Sequence, residues 1–188
     1  MKVRQEFQGL SREQLLDRAY ELGSDYERVS HGCSQCTVAA LHALLPLEDV
    51  LVRAANSCHG GQASRVEGTC GGLIGGTIVL DSFFGRTTLS TIDGDEVDGE
   101  AFQSATAIAA TLAERYAARY GAILCPLVQK RLFGRTFDFN DPEQHDLFER
   151  AGGHSDPSKC TDVVGSCARW TMELLLDTGA LEHEPAAT

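Results

Sequence analysis

The sequence predicts an all-α fold: a compact multi-helix bundle, with a glycine-rich loop and a buried glycine-rich central helix, in one domain spanning residues 1–188. Three observations predict it. Apolar residues recur at helical spacing, beginning with Leu15, Leu16, Ala19, Tyr20 and Leu22. Prolines and glycines fall where helices start and stop, at Pro46, Pro126, Pro142, Gly134 and Gly179. No segment alternates as a strand does. A chain of 188 residues with 43% hydrophobic and 23% charged residues can bury a full core.

Each element has a local reason. Ser11 with Gln14 three residues on is a capping box, and the helix it opens runs to about Val29. Gly32 breaks that helix, and a second starts near Cys33 with Cys36, Ala40, Leu41 and Leu44 on its periodic face. Pro46 ends it and lets a short helix begin around Glu48. Residues 56–69 read as a loop carrying Gly60, Gly61 and Gly68. From Cys70 to Phe84 the chain is apolar all round, the pattern of a buried helix. Gly71 and Gly75, like Gly72 and Gly76, are four apart on that helix. Each glycine costs about 1 kcal/mol there relative to alanine, so another helix or a ligand must approach the backbone closely.

An acidic loop over 91–100 precedes an alanine-rich helix from about Glu100 to Tyr120. Cys125-Pro126 opens a short helix that ends at Gly134. Asp141-Pro142 opens another, stopped by Gly152-Gly153. The last helix spans about Ser158 to Asp177, and 185–188 read as a frayed tail.

Seven cysteines carry the chemistry. A reducing compartment rarely keeps that many thiols for packing alone, so they point to redox chemistry or a metal centre. An odd count also fits poorly with a closed disulfide framework. Cys33 and Cys36 form a C-x-x-C pair at a helix start, where free N–H groups and the helix dipole favour a thiolate. That pair suits a catalytic dithiol or half of a metal site; the β-α-β frame of a thioredoxin site is absent. Cys70 and Cys125 also stand at helix starts. The backbone N–H groups freed by Gly60 and Gly61, and the close approach allowed by Gly71 and Gly72, suit an anionic centre such as an iron–sulfur cluster. Cys160 and Cys167 are two turns apart on one helix face, and Cys167 also reads as a buried apolar residue beside Val163, Val164 and Trp170.

Among the remaining candidates, His31 and His59 adjoin cysteines and can act as ligands or proton carriers; Cys58 is a further thiol in the same stretch as His59. His42, His145, His154 and His183 form no constellation. Asp93, Asp95, Glu96, Asp98 and Glu100 lack EF-hand spacing and read as a solvated loop. No P-loop, dinucleotide fingerprint or nucleophile elbow is present. A net charge of −11 argues against nucleic acid and against anionic membrane surfaces. The polar start, Met1-Lys2-Val3-Arg4, shows no secretory h-region, and the longest apolar stretch is too short to span a bilayer. A cytoplasmic location is expected.

At Gly32-Cys33-Ser34-Gln35, at the loop 56–69 and at Cys70-Gly71-Gly72-Leu73-Ile74-Gly75 the chain resembles the C_GCAxxG_C_C family of putative redox-active proteins, whose hallmark is a CGAxxG element. Cys125 and Cys160 match the third and fourth signature cysteines. The resemblance covers about 12–178. Gly72 stands where the family has alanine; Cys36, Cys58 and Cys167 are additional; and 134–159 looks like an insertion. A similar domain occurs in split-Soret cytochromes, which implies a cysteine-held iron–sulfur centre in a dimer. Thr37 follows Cys36, so the C-x-x-C-H motif of a c-type haem is absent.

Three functions follow as expectations. The first is an iron–sulfur or related metal–thiolate redox protein, with Cys33, Cys70, Cys125 and Cys160 as metal ligands (Cys58 and His59 as possible additions) and a redox protein or small molecule as partner. The second is a metal-free thiol–disulfide oxidoreductase that uses Cys33 and Cys36, with Cys58 or Cys70 resolving. The third is a structural zinc module. A homodimer is expected by family analogy.

Overall fold

The computed structural model describes residues 1–87 and 99–183. The acidic run Asp93, Asp95, Glu96 and Asp98 and the tail from Pro185 lie outside the described residues. Eight α-helices are described: α1 (Arg12–Ser30), α2 (Cys33–Leu44), α3 (Asp49–Ala54), α4 (Gly71–Phe84), α5 (Gly99–Tyr120), α6 (Cys125–Phe133), α7 (Pro142–Arg150) and α8 (Cys160–Asp177). The all-α expectation is met. Pairing of extended backbone among the described residues is limited to two isolated bridges, Lys2 with Glu182 and Thr69 with Leu124. No described helix is long and apolar enough to cross a membrane.

Local signals act where the sequence places them. The Ser11–Gln14 capping box closes reciprocally, with Ser11 N–H donating to Gln14 Oε1 at 2.8 Å. Pro126 and Pro142 stand in the first turns of α6 and α7, and Gly134 caps α6 in the left-handed region at φ 75°. Two boundaries differ from expectation. Residues 56–58 form a short 3-10 turn ahead of the loop, and α8 begins at Cys160 rather than Ser158. There the Asp156 carboxylate accepts from Ser158 N–H and Oγ (2.8 and 2.7 Å), holding Ser158 in a turn before the helix.

The core is assembled around α8, which packs against α1, α2, α4 and α5. Val164, Cys167, Ala168, Met172 and Leu175 of α8 are fully buried, as are Leu15 and Leu16 of α1 and Leu41 of α2. Glycines set the helix spacings. A Cβ on Gly23 of α1 would lie 2.9 Å from Val164 O, and one on Gly165 of α8 would lie 2.8 Å from Tyr20 O. The two backbones therefore touch at that crossing. On α4 the two glycine pairs serve two partners. Gly75 faces the Ser34 carbonyl of α2, whereas a Cβ on Gly76 would lie 2.5 Å from Thr171 Oγ1 of α8 and 2.8 Å from Leu112 of α5. Close helix packing explains these glycines, and that packing offsets their intrinsic cost.

A buried polar network fixes the N-terminal turn of α8. Asp162 is 7% exposed and accepts from Arg119 Nη2 at 2.9 Å, Tyr120 OH at 2.8 Å and Tyr20 OH at 2.9 Å. Two helices, α1 and α5, thus hold the residue two positions beyond Cys160.

Candidate functional site

Cys33, Cys70, Cys125 and Cys160 line one cavity of about 390 Å³. Each stands at a helix start. Cys33 is the first residue of α2, Cys70 caps α4, Cys125 opens α6 and Cys160 opens α8. Four helices separated along the chain thus direct their positive ends at one space, a contribution that favours negative charge on sulfur and that burial opposes.

Backbone pairing holds two of the four in register. Cys70 N–H donates to Ile123 O at 2.8 Å and Cys125 N–H donates to Gly68 O at 2.9 Å, on either side of the Thr69–Leu124 bridge. The Cys33 thiol sits over Gly71 so closely that a Cβ there would collide with its sulfur, and it neighbours the Cys70 thiol. A Cβ on Gly61 would lie 2.8 Å from Cys125 Cβ, so that glycine too is required by contact with a site cysteine. Gly60 aims its N–H at the Cys33 sulfur.

The loop that carries these glycines is wound left-handed. Gly60, Gly61, Gln62, Ala63, Ser64 and Val66 all have φ between 46° and 74°, a costly conformation for the four non-glycine residues. Hydrogen bonds from Ala63 N to Ser57 O and from Val66 N to Gly60 O, both 2.8 Å, hold it. His59 braces it from inside. Its Nδ1 lies 2.7 Å from Asn56 O and its Nε2 3.0 Å from Ser64 Oγ. The carbonyl can only accept, so Nδ1 carries the proton and Nε2 accepts from Ser64. His59 lines the cavity with both ring nitrogens engaged.

The other predicted residues fall elsewhere. The Cys36 thiol faces the Glu27 carboxyl and donates to His31 O at 3.1 Å, and Cys36 does not line the cavity. The C-x-x-C spacing therefore separates its two sulfurs, and Cys33 meets Cys70 instead. Cys58 is half-buried outside the lining, with its carbonyl oxygen packed over Gly71. Gly72 packs on Val163 and Cys167, and Cys167 is a fully buried core residue.

Electrostatics reflect the crowding of thiols. The Cys33 pKa is raised by the neighbouring Cys70 thiol, by burial and by the charge of Cys70. Burial, with repulsion from Cys33, pushes Cys125 up to about 12 despite the Gln129 amide that opposes it. Burial and the charges of Glu27 and Cys33 raise Cys160 as well. These sulfurs feel one another through a low-dielectric space. A cation placed among them would reverse that repulsion.

Several residues that the sequence left unmarked belong to the site. The buried Gln129 accepts from Phe137 N–H at 2.8 Å, which orients its amide so that Nε2 points at the Cys125 sulfur 3.8 Å away. The Tyr116 hydroxyl is buried beside Cys70 and Cys167 and has no hydrogen-bond partner among the described residues. Residues 134–159, the expected insertion, supply Phe139, His145, Phe148 and His154 to the cavity wall. Only Gln129, one helical turn after Cys125, is tied to a cysteine by spacing; the others arrive from more distant segments.

An iron–sulfur cluster, which the family resemblance implies, fits this donor set. Four thiols converge, Gly71 and Gly61 leave the room that a side chain would take, and an orphaned hydroxyl and a directed amide face sulfur. No curated protein and no solved structure matches the chain. A family model described as putative redox-active protein (C_GCAxxG_C_C) matches residues 31–174. That span contains all four cavity cysteines and most of the chain, and the protein belongs to this family of cysteine-bearing redox-active proteins.

Proposed function

We propose that the protein is an electron-transfer protein or reductase whose Cys33, Cys70, Cys125 and Cys160 thiolates hold an iron–sulfur cluster. The single observation that carries this reading is the convergence of four thiols, each at a helix start, on one cavity. Four thiolates match the ligand count of the common clusters, and a bound cluster would supply a one-electron couple. Around it the chain has defined work. Gly60 N–H and the Gln129 amide donate to sulfur, the Tyr116 hydroxyl is placed to do so, and Phe139 and Phe148 limit water. Hydrogen bonds to sulfur and the dryness of the pocket tune the potential. The reading carries with it a reducing, cytoplasmic location and an electron-exchanging partner, either a protein or a small molecule.

The nearness of the Cys33 and Cys70 thiols favours a second reading, a metal-free dithiol protein. Here the two sulfurs form a disulfide and release two protons and two electrons to an acceptor, with Cys70 in the resolving role; the Cys33/Cys36 pairing has less support because Cys36 is turned to Glu27 and His31.

One experiment separates these. The protein is purified without oxygen and its iron, acid-labile sulfide, zinc and visible spectrum are measured, beside those of Cys70→Ser. Iron with sulfide and broad visible absorption, both lost in Cys70→Ser, is the expected result. Iron and an unchanged spectrum in that variant would sink the assignment. A colourless, metal-free protein that loses two thiols on mild oxidation establishes the dithiol reading, and zinc alone overturns both.

A further inference from the structure

The same cavity has a wall that the cysteines do not use. Glu27 near the end of α1, His31 just beyond it and His154 after α7 all line it, and Glu149 of α7 stands behind His154. His154 Nδ1 is 2.6 Å from Glu149 Oε1, and its Nε2 is 3.6 Å from Glu27 Oε1. The His31 ring stacks on His154 with centroids 3.8 Å apart and planes 12° from parallel. One ligand atom from each of His31, Glu149 and His154 falls within 4.8 Å of the other two.

We propose that His31, Glu149 and His154 form a second metal site, for a divalent transition ion such as Zn²⁺ or Fe²⁺, with the buried Glu27 carboxyl beside it supplying negative charge. Two imidazoles and carboxylate oxygen are the donors these ions take when sulfur is not used.

Three independent observations support the site. The first is Glu27, which is 2% exposed and whose Oε2 has no hydrogen-bond partner among the described residues. Its ion-pair partner among the described residues is His154 alone. A buried carboxyl with an unpartnered oxygen either keeps its proton or takes a cation, and a dication held by Glu149 and two neutral imidazoles beside an ionised Glu27 leaves the site neutral. The second is His31 itself, which adopts φ 58°, ψ 169°. That region is close to glycine-only, and a histidine there needs a side-chain reason to offset the strain. The third is the span of the ligand atoms. Zinc-to-nitrogen bonds of about 2.1 Å in a tetrahedron place ligand atoms about 3.4 Å apart, and the atoms of His31, Glu149 and His154 already lie within 4.8 Å of one another, so each pair closes by at most about 1.4 Å. A metal lies in the plane of each imidazole it binds, so one ring must turn out of the stack. His31 is exposed and has the room to turn.

This site uses none of the four cavity cysteines, so it is independent of the cluster reading. Glu27 lies before the span the family model matches, and His31, Glu149 and His154 lie within it.

The test is a Co²⁺ titration of the full-length protein, followed by equilibrium dialysis and by absorption. Cobalt on thiolates absorbs strongly in the near ultraviolet, whereas cobalt on nitrogen and oxygen gives only weak visible bands. One equivalent of the weak-band kind is expected in the wild type and, unchanged, in Cys70→Ser, which would lose only the thiolate-type absorption. His154→Ala and His31→Gly should each weaken that equivalent at least tenfold. His31→Gly relieves the backbone strain, so its metal-free form should melt no lower than wild type; loss of ion with retained fold marks a ligand and not a structural residue. Glu27→Gln should weaken the ion while stabilising the metal-free protein. Absence of a nitrogen–oxygen equivalent in the wild type overturns the proposal, as does one that survives His31→Gly at full affinity.

Discussion

The thiol side of the cavity and its imidazole side rest on different kinds of support. Each cysteine on the thiol side is the first or capping residue of a helix, and the helices are locked by glycine contacts and by the paired hydrogen bonds of Cys70 and Cys125. The imidazole side rests on the strained residue after α1 and on α7 with the turn behind it, where Phe148 packs edge-on to His154 at 5.1 Å. The contrast is one of rigidity. Sulfur positions follow from core packing, which tolerates little change, while imidazole positions follow from surface segments that carry fewer constraints. A site built on the first is pre-set; a site built on the second is completed by its ion.

Substitutions that strike one side and spare the other sharpen that contrast. The largest effect is expected from Gly75→Ala, because the new methyl would meet the Ser34 carbonyl across the α2–α4 contact. Overpacking against backbone there should cost about 3 kcal/mol, a fall of roughly 6–12 °C in Tm, and cluster content should fall with it. A Tm within 2 °C of wild type would show that the thiol side is not set by helix spacing.

Asp162→Asn comes next. It weakens the acceptor for Arg119, Tyr20 and Tyr120 at the start of α8. A loss of about 2 kcal/mol is expected in denaturant melts, with cobalt at the imidazole side unaffected. If both sides failed equally, the two would not be separable.

Tyr116→Phe tests the thiol side without disturbing its packing. Removing an unpartnered buried hydroxyl should leave Tm unchanged or slightly raised. If the hydroxyl donates to a cluster sulfur, its loss makes the measured potential more negative. An unchanged potential in an iron-loaded variant would remove Tyr116 from the site.

The smallest effect belongs to Asp81, near the far end of α4, whose pKa is raised above 3.8 by burial. The protonated form is favoured in the folded state. Its contribution is therefore fully present below about pH 3.8 and is lost as pH climbs through the raised folded value. Asp81→Asn should match wild type at pH 3 and melt about 1 °C higher at pH 7, with both sides of the cavity intact. A variant that melts lower at pH 7 would reverse the sign and show that the carboxylate has a stabilising partner.

Much of the fold was legible because its signals are local. Ser11 with Gln14, Pro126, Pro142 and Gly134 act on the turn in which they sit, so they read correctly without knowledge of neighbours. The glycine pairs of α4 were legible as close-approach sites, though not the partner of each. Spacing misleads most at Cys33 and Cys36. Three residues apart on a helix they look like a pair, yet Cys36 turns to Glu27 while Cys33 meets Cys70 from another helix. His154 showed no constellation because Glu149, its hydrogen-bond partner, needs the turn after α7, and His31 reaches it only through the packing of α1.

By itself, then, the sequence determined the helices, their ends and the chemical character of the protein, because capping, periodicity and thiol content are properties of short stretches. Tertiary structure alone decided which four sulfurs share a space, that Tyr116 and Gln129 face them, and that Glu27 is buried beside two stacked histidines. Those facts depend on backbones brought into contact across more than a hundred residues of chain, as at the Gly23–Gly165 crossing. No local energy term encodes such contacts; they arise when the whole core is packed.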